Sequence, residues 1–155
     1  MTSTVGTTLV LGGLLAAAFG AVVGIEGGLR HRVGALRIVL AAVTVFLVCM
    51  VGANLTMIYA LVTHDFSVQY VSHVGSRATP LVYTIVSLWS ALEGSILFWG
   101  AILAVYVFAF ARAHRKDPPT NPLLALGAML AVGVFFSFLL AGPANPVGRV
   151  SPVPP

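Results

Sequence analysis

Four apolar stretches, each long enough to cross a lipid bilayer, set the limits on what this chain can fold into. Residues 8–25, 38–61 and 123–141 hold no charged side chain, and residues 81–111 hold one acid, Glu93. A helix rising about 1.5 Å per residue covers a hydrocarbon core of about 30 Å with some 20 residues. Of the 155 residues, 59% are hydrophobic and 8% charged, which suits lipid and not water. The fold class is therefore all-α: a polytopic membrane protein with four transmembrane helices and an outer interfacial segment between helices two and three.

The expected organisation is a four-helix membrane domain over 1–142, with spans near 8–25, 38–61, 88–111 and 123–141. An outer loop covers 62–87. A proline-rich outer tail, 143–155, reads as an extended connector and as the stump of a truncated chain. From 81 to 111 a helix would reach about 45 Å. Its first third is therefore assigned to the interface, anchored by Pro80, Tyr83 and Trp89. Arg30, Arg32 and Arg37 lie between spans one and two; Arg112, Arg115 and Lys116 lie between spans three and four. The outer loop and tail hold only Arg77 and Arg149. The positive-inside rule places the two basic loops in the cytoplasm and both termini outside. Short scattered basic loops argue against nucleic acid as a partner; the lipid bilayer is the first partner.

Few residues carry chemistry. Cys49 is the only cysteine and lies within the second span, so no intrachain disulfide or thiol-based metal site forms. Gly12, Ala16 and Gly20 recur every four residues, as a helix-packing stripe or as chance in a glycine-rich chain. Asn54 is a lone amide in the second span, fit for an interhelical bond or a ligand contact. Phe66 and Tyr70 are four apart, so a short interfacial helix would carry both, with His64 and Asp65 toward water. His64 and His73 lack further ligands spaced for a metal, and no metal site is expected. Glu93 stands out because an acid inside a span is a functional-site hypothesis by default. Gly94 and Ser95 would let another segment approach it. Helical spacing puts Trp89 and Glu93 on one face, leaves Trp99 off it, and leaves open whether Glu93 does chemistry or ties the loop through a donor such as Arg77.

Three pieces carry a resemblance. The first is Asn54 followed by Asp65-Phe66-Ser67-Val68-Gln69-Tyr70-Val71. The second is Leu81-x-Tyr83, then Trp89 and Glu93-Gly94-Ser95-Ile96-Leu97-Phe98-Trp99. The third is Asn145-Pro146 with Arg149. Together they resemble the N-terminal part of the cytochrome c-type biogenesis protein CcmF family, the haem lyase component of cytochrome complex assembly. The resemblance implies a longer protein in the bacterial cytoplasmic (inner) membrane that attaches haem to apocytochrome c on the outer face. It implies haem as cofactor of the full-length protein. As partners it implies cytochrome c maturation proteins and the remainder of the lyase or a split partner subunit. The tryptophan-rich haem-handling string of that family has no counterpart here, and none of His31, His64, His73 and His114 matches its ligands. No haem is expected on this segment alone, and no catalytic residue is assigned. Asn54, Asp65, Tyr70, Trp89, Glu93, Gly94, Ser95 and Trp99 are the candidate functional or structural residues. Two other classes fit a four-span chain with a membrane acid: a small proton-coupled multidrug exporter, and a non-catalytic assembly subunit.

Overall fold

The structure is a computed structural model that describes residues 2–32, 34–74 and 80–148; of Leu81 only the backbone is described. Four long helices cross the apolar layer: α1 (Thr2–Leu29), α2 (Ala35–Val62), α5 (Leu92–Ala113) and α6 (Thr120–Ala141). Two short helices, α3 (Gln69–Val74) and α4 (Leu81–Val86), precede α5, and a 3-10 turn at Ser87–Trp89 follows α4. All four long helices are apolar enough to span a bilayer, and the chain is a multi-pass membrane protein. One end of the bundle carries α3, α4 and the chain after α6. The other carries the short basic connections.

α1 packs on α2 and α6, and α5 closes the ring against the same two helices. Small residues decide how close α1 comes. A Cβ on Gly24 would lie 2.9 Å from the Gly127 Cα and 3.0 Å from the Leu123 carbonyl oxygen. The α1 and α6 backbones therefore meet there, with no side chain between them. The buried stripe of α1 is Gly6, Val10, Gly13, Ala17, Gly20, Gly24 and Gly27. The expected stripe at Gly12, Ala16 and Gly20 is thus displaced, since Gly12 and Ala16 are only half-buried. The core between the helices is filled by Phe46, Met50, Leu97, Leu126, Leu130 and Leu140.

α1 and α2 end alike. His31 and His64 take positive φ, 51° and 54°. The next amide reaches back five residues: Arg32 N–H to Gly27 O at 2.8 Å and Asp65 N–H to Ala60 O at 2.9 Å. This is the glycine-type helix terminator with histidine at its left-handed position, where a side chain other than glycine is strained by about 1 kcal/mol.

Candidate functional site at the loop-bearing end

The three sequence pieces, far apart in the chain, meet at one end of the bundle. The first folds at once after α2. Asp65 Oδ1 accepts hydrogen bonds from the Ser67 hydroxyl and from Ser67 N–H, the latter at 3.2 Å, and Oδ2 accepts from the Thr2 hydroxyl at 2.8 Å. Those hydroxyls, Ser67 foremost, hold the Asp65 carboxyl below its ordinary pKa, against the opposing effect of partial burial. The helix expected over both Phe66 and Tyr70 starts only at Gln69, because the Asp65 turn occupies 65–68. Phe66 sits in that turn. Asp65 is half-buried and bonded, not turned to water.

Tyr70 lies under the second piece, only 3% exposed. Its hydroxyl donates to the carbonyls of Ser87 and Leu88, at 2.7 and 2.8 Å, a three-centre bond that ends the 3-10 turn. Burial pushes the phenol pKa up, so the donor stays protonated. Gly94 completes the contact. A Cβ there would stand 1.7 Å from the Leu88 carbonyl oxygen and 2.5 Å from the Tyr70 hydroxyl. The glycine is required by close approach and not by backbone angle. Ser95 donates to Trp89 O at 3.0 Å, which pulls the turn back onto the first turn of α5.

Between turn and helix the chain is extended at Ala91, φ −126° and ψ 164°. Trp89 and Glu93 are thus not on one helix face: the helix that would align them is broken at 90–91. Trp89 packs against Phe98, ring centroids 5.2 Å apart. Trp99 is 57% exposed on the outward face of α5, and packs edge-on to Phe98 at 6.4 Å. Asn54 donates to Met50 O at 2.9 Å and, across the helix interface, to Leu97 O on α5 at 3.0 Å. Its Oδ1 has no partner among the described residues.

The third piece folds back over the end of the bundle, so its described part is not the extended connector that proline content suggested. Asn145 Oδ1 accepts from Val147 N–H at 3.0 Å, closing a turn. The Ser3 hydroxyl donates to Val147 O at 2.6 Å, and Gln69 N–H to Gly148 O at 2.8 Å. Val147 is buried against Gly6, where a Cβ would meet its Cγ1 at 2.5 Å. Arg149 and Arg77 lie outside the described residues.

One small cavity, about 80 Å³, touches all three pieces: Gln69 and Tyr70 line it from the first, Glu93 from the second and Asn145 from the third, with His73 and Ala91 beside them. Glu93 is half-buried in the first turn of α5. No hydrogen bond or ion pair to its side chain is found among the described residues. The tie between α5 and the preceding segment is made by Tyr70 and Gly94. The tie expected at Glu93 named Arg77 as its donor, and Arg77 lies outside the described residues.

No family model matches the chain. The solved structure of cytochrome c heme lyase CcmF superposes on 98% of it with a TM-score of 0.90 at 30% identity. The chain belongs to the CcmF family of cytochrome c-type biogenesis proteins, as a partial counterpart. CycK of Rhizobium meliloti is 34% identical over 114 residues, 74% of this chain and 17% of that protein. CcmF of Pseudomonas fluorescens is 35% identical over 94 residues, 61% of this chain and 14% of that protein. CcmF of Escherichia coli is 32% identical over 101 residues, 65% and 16%. The chain thus spans about a sixth of the length of these curated relatives, and 26% of the solved CcmF chain.

The described residues do not fit a bound haem. His31 adjoins the basic end of α1 and His114 that of α5, while His64 and His73 are at the other end. No group of three or more His, Cys, Asp or Glu side chains converges among the described residues. The cavity beside His73, about 80 Å³, is well below the roughly 300–1,000 Å³ of cofactor pockets.

Proposed function

We propose that this segment is the N-terminal membrane scaffold of a cytochrome c haem lyase component. In this reading it supports covalent attachment of haem to apocytochrome c on the outer face of the bacterial inner membrane. The observation that carries the reading is the near-complete superposition on a solved CcmF heme lyase. The loop-bearing end, where the three motifs meet, would face outward, since six basic residues occupy the two connections at the opposite end. Its hydrogen bonds give it a positioning role: they hold α3, the 3-10 turn and the chain after α6 as one surface for the lyase remainder or a maturation partner. Haem and apocytochrome would be handled by partner segments and not by this one.

The test is co-purification. The tagged chain, expressed in a strain competent for cytochrome c maturation, is expected to retain maturation proteins or apocytochrome c. Tyr70→Phe should weaken that retention without loss of the helical bundle. Absence of every maturation protein from the eluate, with the chain folded in the membrane, would reject the reading.

A further inference from the structure

The basic end holds six basic residues and two acids, and they are not spread evenly. Glu26 is shared by Arg30 and Arg32, at 3.4 and 3.9 Å. Arg112 and Arg115 have no ion-pair partner among the described residues, and both line a groove of about 160 Å³ between α2 and α5. Leu40 and Phe108 form its walls and buried Ala111 its floor. Thr44 also lines it, but its hydroxyl donates to Leu40 O at 2.9 Å, so that wall offers no free polar group to a ligand. Arg37 lies on α2 three residues before Leu40 and seven before Thr44, spacings that keep all three on one helix face. Two guanidinium groups without an ion-pair partner among the described residues thus line an apolar groove set between two membrane-spanning helices, and Arg37 lies on the same face of α2.

We propose that this groove binds an anionic phospholipid, with an acyl chain along Leu40, Thr44 and Phe108 and the phosphate between Arg112 and Arg115. A guanidinium pairs with phosphate through two parallel hydrogen bonds, which lysine cannot reproduce. The apolar walls select a lipid over a free phosphate. Basic residues near the membrane surface attract anionic headgroups, and a cleft between helices turns that diffuse attraction into a site. Glu26 offsets one of the two charges of Arg30 and Arg32, and no apolar groove lined by both arginines accompanies them, which is why the site is placed at the α2–α5 seam and not at the α1–α2 connection. The site is independent of the haem-lyase reading and would stand if that reading failed.

The experiment uses the purified 155-residue chain, delipidated in neutral detergent and titrated with phosphatidylglycerol or phosphatidylcholine of matched acyl chains. Retained lipid is counted by native mass spectrometry. Phosphatidylglycerol should be retained in clear preference. Arg112→Gln with Arg115→Gln should weaken its retention by about tenfold or more, given roughly fivefold for each charge. Arg30→Gln with Arg32→Gln removes the same charge away from the groove and should have less than about a twofold effect by the same reasoning. Thr44→Trp fills the groove without changing charge and should also abolish retention, while circular dichroism reports an unchanged helical content. Equal losses from the two arginine pairs would mean a diffuse field and overturn the site. So would equal retention of phosphatidylcholine, or full retention by Thr44→Trp. Competition by soluble glycerophosphate as effective as by the lipid would overturn the assignment of a lipid ligand.

Discussion

The two ends of this bundle are built on opposite principles. At the basic end the connections are short, the side chains are charged and exposed, and the polar contacts include one shared carboxylate and a His31–Thr120 hydrogen bond at 3.0 Å. At the other end, hydrogen bonds from Thr2, Ser3, Ser67, Gln69 and Tyr70 join four separate stretches of chain, and buried glycines let them touch. The difference teaches where the family resemblance resides. Several of its motif residues, Asp65, Ser67, Tyr70, Gly94, Ser95 and Asn145, set the geometry of the loop-bearing end through their side chains or the lack of one. At the basic end glycines also bring helices together, Gly27 against Ala35 and Gly28 against Leu124, but the connections themselves are marked mainly by charge.

The sharpest way to break this contrast is to add one methyl group at each end. Gly94→Ala puts a carbon 1.7 Å from the Leu88 carbonyl oxygen, so backbone must move. Overpacking of this kind is expected to destabilise by about 3 kcal/mol or more. Gly34→Ala at the basic end meets nothing within 4 Å and has φ −66°, and should be neutral or slightly stabilising. Limited proteolysis of residues 63–91 in membranes measures the first and thermal unfolding in detergent measures both. Equal tolerance at the two positions would erase the distinction.

A smaller effect is expected from Tyr70→Phe. It keeps the ring and removes the donor to the Ser87 and Leu88 carbonyls. Leaving such buried acceptors unpaired should destabilise by about 1–3 kcal/mol. Hydrogen exchange should report the loss at 87–95 and not at 29–37. Uniform exchange changes along the chain would assign Tyr70 a global packing role.

Part of this was legible in the sequence and part was not, for physical reasons. Four runs of apolar residues identify four spans whatever their partners. That the first part of 81–111 leaves the span followed from its length, but the place of the break, at 90–91 and not near 88, could not be seen. Residues 81–111 contain no proline, and Ser90-Ala91 is no stronger a helix breaker than its neighbours; the break is imposed by Tyr70 capping the 3-10 turn. The α1 stripe was read one register off because Gly12, Gly13 and Gly20 offer two equally small faces. Only the positions of α2 and α6 choose between them. The tail misled for the opposite reason. Its prolines suit an extended chain, but Val147 has a pocket to enter at Gly6, and burial of that side chain outweighs the local preference.

Asp65 gives the contrast a pH dependence. Its carboxyl pKa is lowered in the folded chain, chiefly by the Ser67 hydroxyl. A depressed folded value means stability that is present above the unfolded value, about 3.9, and lost as pH falls through the folded one. The loop-bearing end should therefore loosen below about pH 4. Asp65→Asn should remove that pH dependence and destabilise by about 1 kcal/mol at neutral pH, because the side chain is partly exposed. Protease sensitivity of 63–74 against pH is the readout, and the same slope in wild type and variant would dismiss Asp65 as its source.

The smallest effect sharpens the comparison from the other side. Glu26 is the acid shared by Arg30 and Arg32, with its side chain 45% exposed. Exposed ion pairs contribute about 0–1 kcal/mol, and salt screens them. Glu26→Gln should therefore shift thermal unfolding by little, and by still less in high salt. The substitution frees Arg30 and Arg32, and orientation should not change, because the positive-inside rule counts basic residues and acids contribute little. Cysteine labelling at Ser72 and Asp117 from opposite sides of intact membranes should be unchanged in the variant. If Glu26→Gln instead destabilised the bundle as much as Tyr70→Phe, the basic end would depend on specific contacts too, and the contrast between the two ends would fail.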